Sequence, residues 1–129
     1  DARKFSYAPY SHFAVGAALL GADAKIYTGC NIENAAFTPG NCAERTAIFK
    51  AVSEGCREFS AIAIVGGKLD EDALAQAGYT APCGVCRQVL REFVNPSAFA
   101  VILARTIEAY KVYTLEELLP ESFGPENLK

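Results

Sequence analysis

Cys42-Ala43-Glu44 and Pro82-Cys83-Gly84-Val85-Cys86 are the two stretches that decide how the 129-residue sequence is interpreted. Both stand at the start of a segment with helical periodicity, so we expect the three cysteines near the beginnings of two helices. Three thiolates can hold one Zn²⁺, and a zinc ion with three protein ligands keeps a fourth position for water, as catalytic sites do. Glu44 is then placed to move a proton of that water. The spacing thus predicts one catalytic zinc per chain.

Apolar periodicity around these stretches predicts two main helices. The first runs over about 42–54, and Gly55 is its C-terminal stop. The second runs over about 83–94, and Asn95-Pro96 ends it. Its apolar side is expected to carry Val85, Val89, Leu90, Phe93 and Val94.

Short apolar segments predict the strands of a single sheet. They cover residues 13–20, 25–33, 61–65, 99–103 and 111–113. The first two form a hairpin, Thr38-Pro39-Gly40-Asn41 predicts a type II turn, and Thr114-Leu115-Glu116-Glu117 is a capping box that opens a last short helix. The stretch 66–79 has no pattern that we can assign. Strands alternating with helices predict one α/β domain over 1–129, a three-layer α/β/α sandwich with helices on both faces of a mixed, mostly five-stranded sheet.

Composition and charge limit the partners of the chain. Its net charge of −3 weighs against a polynucleotide, which would favour a basic surface, and suits a small neutral substrate. No apolar run approaches the roughly 18–20 residues of a membrane span, so we expect no membrane partner. The chain has five cysteines, an odd number, and two of them form a CxxC pair. This pattern is more typical of metal-binding cysteines than of disulfide bonds. Because reduced cysteines are usual in the cytoplasm, we expect a cytoplasmic protein.

Positive groups are expected near the cysteines because three thiolates leave the zinc site with an excess of negative charge. The N-termini of both predicted helices would offset part of it. Arg45 and Arg87 could add to this by donating to sulfur, or else be surface cations. Two alternatives stay open at this point: a redox CxxC, or a structural zinc with a fourth ligand from Cys30, Cys56 or His12.

A second group of side chains indicates where a sugar and a planar ring would bind. Asn31 and Glu33, two residues apart at a predicted strand end, project to one face, with Ile32 turned into the core. An amide beside a carboxylate suits the hydroxyls of a sugar, and Glu33 disfavours a phosphate. Phe13 opens the first strand and is placed to stack on a base, with core packing as the alternative.

Four stretches in the same order as in a known family carry a resemblance over nearly the whole chain. They are Tyr10-Ser11-His12-Phe13-Ala14-Val15-Gly16-Ala17-Ala18-Leu19, Gly29-Cys30-Asn31-Ile32-Glu33-Asn34-Ala35, Asn41-Cys42-Ala43-Glu44-Arg45-Thr46-Ala47 and Pro82-Cys83-Gly84-Val85-Cys86-Arg87-Gln88. The sequence resembles cytidine deaminase, in its short homotetrameric form with three cysteine ligands. Leu115-Glu116-Glu117-Leu118-Leu119-Pro120 resembles the C-terminal segment of that family.

This resemblance implies a cytidine deaminase-like fold and a reaction. Zn²⁺ would be bound by Cys42, Cys83 and Cys86. Glu44 would carry protons in the hydrolytic deamination of cytidine and deoxycytidine, a step of pyrimidine salvage.

The resemblance also implies substrate contacts. Asn31 and Glu33 would bind the ribose, Phe13 would stack on the pyrimidine, and the N–H of Ala43 would contact the base carbonyl. These are expectations for a small nucleoside substrate.

Phe37 and Phe123 lie on segments flanked by Pro and Gly, which indicates an interface or a pocket lid, or else packing at the edge of the core. A chain this short leaves little material to cover a pocket, so we expect a symmetric oligomer. In the tetramers of the family that the chain resembles, neighbouring subunits complete each pocket, at positions that these two residues match.

Three other functions remain open. A deaminase of cytosine nucleoside antibiotics, of the blasticidin S type, shares the cysteine motifs, but Phe13 and Asn31-x-Glu33 favour the ordinary nucleoside. The acidic composition disfavours a polynucleotide-editing deaminase. A non-catalytic zinc-binding module would place four protein ligands on the metal and leave no open position.

Overall fold

A five-stranded mixed sheet forms the centre of the computed structural model, which describes residues 1–69 and 78–129. The strands are β1 (Phe13–Gly21), β2 (Ile26–Cys30), β3 (Phe59–Lys68), β4 (Ala100–Ala104) and β5 (Tyr110–Thr114), in the order β2-β1-β3-β4-β5. β3 and β4 run parallel, and the other neighbouring pairs are antiparallel. The helices are α1 (Ala43–Ser53), α2 (Gly84–Phe93) and α3 (Leu115–Leu118), with 3₁₀ helices at Ala2–Phe5 and Pro125–Asn127. None of the described helices has the length and apolar character that crossing a membrane requires.

The three α-helices cover one face of the sheet and share one apolar core with it. Leu19 of β1, Ile62 of β3 and Val101 of β4 are fully buried in this core. The N-terminal 3₁₀ helix lies on the opposite face, where a Cβ at Gly16 would come within 2.9 Å of the Arg3 backbone nitrogen. The predicted α/β class and mixed five-stranded sheet are confirmed. The helical layer on the second face consists, in the described part of the chain, of that short 3₁₀ helix.

Helix α1 approaches β2 closely because both present small residues to each other. Ala43, Ala47 and Ala51 are fully buried on α1, and Gly29 faces α1 from β2. A Cβ at Gly29 would lie 2.4 Å from the Ala43 carbonyl oxygen, so this approach requires glycine. The contact places the N-terminus of α1 beside the end of β2, where the predicted site residues lie.

The β1–β2 hairpin, both long helices and the capping box at Thr114 are confirmed. The type II turn over 38–41 is wrong, because the positive φ falls on Thr38, at 90°, and Gly40 has none. Asn41 exchanges two backbone hydrogen bonds with Ile32, which draws the end of this segment into extended pairing instead of a turn. The unassigned stretch 66–79 begins inside β3, and its residues 70–77 lie outside the described part of the chain.

The prediction of which residues form the apolar side of α2 is partly wrong. Val85 is 57% exposed, whereas Arg91 is buried at 6%. Arg91 is buried because the C-terminal segment folds back over α2: its Nε donates to Ser122 Oγ at 2.7 Å and its guanidinium pairs with Glu126. A buried charge is tolerated when it is paired and hydrogen-bonded.

Candidate metal centre and substrate cleft

The three predicted metal ligands meet where the N-termini of α1 and α2 come together. Cys42 is the N-cap of α1, Cys83 is the N-cap of α2, and Cys86 lies in the first turn of α2. The Cys83 sulfur lies 3.9 Å from that of Cys42 and 3.4 Å from that of Cys86, and all three sulfurs lie within 4.8 Å of one another. Zinc–sulfur bonds of about 2.3 Å in a tetrahedron separate neighbouring sulfurs by about 3.8 Å. The cysteine cluster therefore fits one zinc ion.

Arg45 makes the charge contact that was predicted for it. Its Nη2 donates to the Cys42 sulfur at 3.4 Å. A hydrogen bond with Cys86, followed by that with Arg45, lowers the pKa of Cys42 to about 5. A low pKa keeps this sulfur in the thiolate form that binds metal.

Arg87 does not donate to sulfur, in contrast to what its position suggested. Its two side-chain hydrogen bonds go to the carbonyl oxygens of Pro82 and Leu118. The alternative ligands Cys30, Cys56 and His12 are not part of the cluster, which in the described chain consists of three cysteines. A closed site with four protein ligands is therefore not formed by the described residues.

Glu44 lies in the first turn of α1 and is buried, with 4% of its surface exposed. An acid that merely suits the helix dipole normally stays in solvent, so this burial is informative. Burial raises the pKa of Glu44, and the negative charge of Cys42 raises it further. A carboxyl group whose pKa is raised holds a proton more readily than an ordinary one, which favours a role in general acid–base chemistry.

Asn31 binds the backbone at the start of β1, and Glu33 binds the backbone of the turn that precedes it. The Asn31 side chain accepts from the N–H of Val15 at 2.9 Å and donates to the carbonyl of Phe13 at 2.8 Å. Glu33 Oε1 accepts from the N–H groups of Tyr10 and Ser11, at 3.0 and 3.2 Å, and Oε2 accepts from the Ser11 hydroxyl. The Ser11 hydroxyl is the main cause that lowers the pKa of Glu33. The two side chains thus fix the position of the Phe13 backbone.

The partners Tyr10 and Ser11 were not predicted from the sequence. One feature of the sequence could have indicated them, because Ser11, with its hydroxyl group, lies in the turn directly before β1. The prediction that Ile32 enters the core is also wrong, because β2 ends at Cys30 and the Ile32 side chain is 45% exposed. Its backbone instead forms bridges to Tyr7 on one side and to Asn41 on the other.

A cleft of about 590 Å³ runs from Cys42 of the metal cluster along the predicted sugar-binding residues Asn31 and Glu33. Asn31, Glu33, Phe37, Cys42 and Arg45 all line it, with Phe37 97% exposed at its edge.

The other predicted site residues are not among those that line the cleft. Phe13 is half-buried at the start of β1, and Ala43 and Glu44 are buried in the first turn of α1. Phe123 is 58% exposed on the C-terminal segment, where its carbonyl accepts from Gln88 of α2. The cleft itself is open to solvent in the single chain.

Comparison with known proteins shows that the chain is similar to cytidine deaminases over nearly its whole length. Residues 1–102 match the family described as "Cytidine and deoxycytidylate deaminase zinc-binding region". A cytidine deaminase of Sporosarcina psychrophila is 49% identical over 98% of this chain and 87% of its own length, and a probable cytidine deaminase of Dictyostelium discoideum is 38% identical over 99% and 80%.

Solved structures show the same similarity. Cytidine deaminase from Burkholderia pseudomallei superposes with a TM-score of 0.82 at 46% identity, covering 95% of this chain and 91% of that one. The enzyme from Mycobacterium tuberculosis gives a TM-score of 0.77 at 35% identity, covering 95% and 89%.

Proposed function

The chain belongs to the cytidine and deoxycytidylate deaminase family, and on that basis we propose that it hydrolyses cytidine and deoxycytidine to uridine and deoxyuridine with release of ammonia. This is a reaction of pyrimidine salvage. The observation that carries the proposal is the convergence of three cysteine sulfurs beside the buried carboxyl group of Glu44.

Cys42, Cys83 and Cys86 hold one zinc ion per chain. When bound, Zn²⁺ would act as a Lewis acid and lower the pKa of a water molecule to near neutral pH. The two helix N-termini and the Arg45 guanidinium offset the negative charge of the thiolates. Without these positive groups the cluster would be a poorer site for activating water.

Glu44 acts as the proton carrier. It takes a proton from the attacking water and delivers it to N3 of the cytosine ring, which makes C4 electrophilic. After the oxygen has bonded to C4, Glu44 passes the second proton to the amino group, and the C4–N bond breaks to release ammonia. Proton transfers of this kind typically contribute about 10²–10⁴-fold to the rate.

The substrate places its sugar in the cleft, against Asn31 and Glu33, and extends its base past Cys42 toward the metal cluster and Glu44. Both side chains keep hydrogen-bonding capacity: the Asn31 amide has a second N–H, and a carboxylate has about four acceptor positions, of which the Tyr10–Ser11 turn takes three. Phe13 stacks on the pyrimidine, and the N–H of Ala43, at the start of α1, contacts the base carbonyl.

The functional molecule is a homotetramer in which neighbouring subunits complete each pocket. The supporting observations are the exposure of Phe37 at the edge of a cleft that is open in the single chain and the exposure of Phe123 on the C-terminal segment. We further propose that residues 1–129 form a single domain, because the described strands form one sheet around one core. A cytoplasmic location is supported by five free cysteines, three of them needed in reduced form.

A spectrophotometric assay of cytidine loss, combined with zinc analysis of the purified protein, tests this function. We expect conversion to uridine and one zinc per chain. Deamination of a cytosine nucleoside antibiotic without deamination of cytidine would assign the chain to the antibiotic-directed type instead. Bound zinc with no turnover of either would favour a non-catalytic module.

A further inference from the structure

One arginine contacts the backbone on both sides of a zinc ligand. The side-chain Nε of Arg87 donates to the carbonyl of Pro82 at 2.8 Å, and the backbone N–H of Arg87 donates to the carbonyl of Cys83 at 3.0 Å. The two peptide groups that flank the Cα of Cys83 are therefore both bonded to the same residue.

The other end of the Arg87 guanidinium is anchored on a different element. Its Nη1 donates to the carbonyl of Leu118 at 2.6 Å, at the last residue of α3. The chain beyond α3 is also held by α2, because Gln88 Nε2 donates to the Phe123 carbonyl at 2.9 Å and Arg91 donates to Ser122. Leu118 is thus a fixed support for the guanidinium.

Cys83 needs such support because it lies outside the regular helix. As N-cap of α2 it has extended φ and ψ of −68° and 169°. Hydrogen bonds of the helix reach its carbonyl and its sulfur, which accepts from the N–H of Cys86 at 3.4 Å, but not the peptide group that precedes it. The Pro82 residue before it has no N–H to bond and is fixed by burial and by its carbonyl. The Arg87–Pro82 bond supplies the restraint that the helix lacks.

We propose that Arg87 is a positioning residue for the zinc ligand Cys83: its planar fork ties the Pro82 carbonyl to the end of α3 and so fixes the direction of the Cys83 sulfur. This inference rests on the zinc site of the proposed function. It differs from a charge effect on the thiolates, because the guanidinium nitrogens bond to carbonyl oxygens. Lysine would keep the charge but cannot bond two carbonyls in this fixed geometry.

The test measures the rate at which the zinc-loaded protein releases zinc to a chromogenic chelator, together with the melting temperature. Arg87→Lys and Arg87→Ala are compared with wild type, and Glu92→Ala serves as the control at an exposed position of the same helix. Loss of a group that orients a metal ligand typically weakens metal binding 10–100-fold, so we expect both Arg87 variants to release zinc at least about 10-fold faster. Glu92→Ala should release zinc at nearly the wild-type rate.

Other results would overturn the proposal or the function on which it rests. Wild-type release from Arg87→Lys, with fast release from Arg87→Ala, would show that charge alone matters and overturn the proposal. Unchanged release from both variants, or equally fast release from Glu92→Ala, would overturn it as well. Zinc content and cytidine turnover of the wild type are measured first: a wild type that binds no zinc contradicts the proposed function, whereas a loaded wild type with an unaffected Arg87→Lys variant contradicts only the positioning role.

Discussion

The side chain of Asn31 holds the backbone of Phe13, with Nδ2 donating to the Phe13 carbonyl at 2.8 Å. Its Oδ1 accepts from the N–H of Val15, so the amide spans the first three residues of β1. The residue expected to bind the sugar therefore also positions the residue expected to stack on the base. Under the proposed function, this one amide group links recognition of the sugar to recognition of the base.

Asn31→Asp tests this link. The substitution replaces the donor to the Phe13 carbonyl by a carboxylate oxygen, which repels it. Because a buried carbonyl then loses its partner, we expect the free energy of unfolding to fall by about 1–3 kcal/mol and the KM for cytidine to rise. Chemical denaturation and steady-state kinetics measure the two effects. Asn95→Asp is the matched control, since Asn95 is exposed, does not line the cleft, and its Oδ1 accepts from Ser97, which aspartate can also do. Equal behaviour of the two variants would argue against the link.

The metal cluster predicts the consequence of removing one ligand. Cys83→Ala leaves two sulfurs, and two ligands hold zinc far less tightly than three. We expect loss of zinc, loss of turnover and a lower melting temperature together. Cys30→Ala, at a half-buried cysteine outside the cluster, should keep a full complement of zinc. Zinc analysis after gel filtration measures the difference, and stoichiometric zinc in Cys83→Ala would rule out the three-cysteine site.

The cleft predicts a preference for substrates without phosphate. Glu33 carries a negative charge in the cleft, its pKa being lowered by Ser11, and the whole chain has a net charge of −3. We expect kcat/KM to be much higher for cytidine and deoxycytidine than for cytidine monophosphate or single-stranded DNA. Glu33→Gln should reduce the difference in kcat/KM between cytidine and cytidine monophosphate. The substitution weakens binding of the nucleoside and removes the charge that repels the phosphate. Similar rates on cytidine and cytidine monophosphate with the wild type would contradict this account.

Much of the architecture could be predicted from local patterns. Alanines at helical spacing after Cys42 predicted α1, and the apolar repeat after Cys83 predicted α2, so both cysteines were correctly placed at helix starts. The capping box at Thr114 involves only four consecutive residues and could be predicted in the same way. These features depend on residues close together in the chain.

The features that sequence analysis missed depend on distant residues. Burial of Arg91 requires Ser122 and Glu126 to return over α2, and no local pattern on α2 indicates that return. The use of Glu33 to hold Ser11 joins residues 22 apart in sequence. Tertiary contacts of this kind override local expectation, as the exposed side chain of Ile32 also shows.

The proposed tetramer predicts the behaviour of Phe123. A monomer has a mass of 13.8 kDa, and light scattering should give about four times that value. If Phe123 completes a neighbouring pocket, Phe123→Ala should raise the KM for cytidine while zinc content stays unchanged. Leu128→Ala, at another exposed apolar residue of the C-terminal segment, is the control and should leave KM unchanged. A fully active species of monomeric mass would refute the composite site.

The proton-carrier role of Glu44 is the central claim, and the turnover of Glu44→Gln tests it most directly. Glutamine keeps the shape of the buried side chain but cannot carry a proton, so the variant should fold and hold one zinc per chain. Turnover of cytidine, measured on zinc-loaded protein at saturating substrate, should fall by at least the 10²–10⁴-fold that is typical for lost general acid–base catalysis. A zinc-loaded Glu44→Gln variant that retained more than about 10% of wild-type turnover, far above that range, would contradict the account.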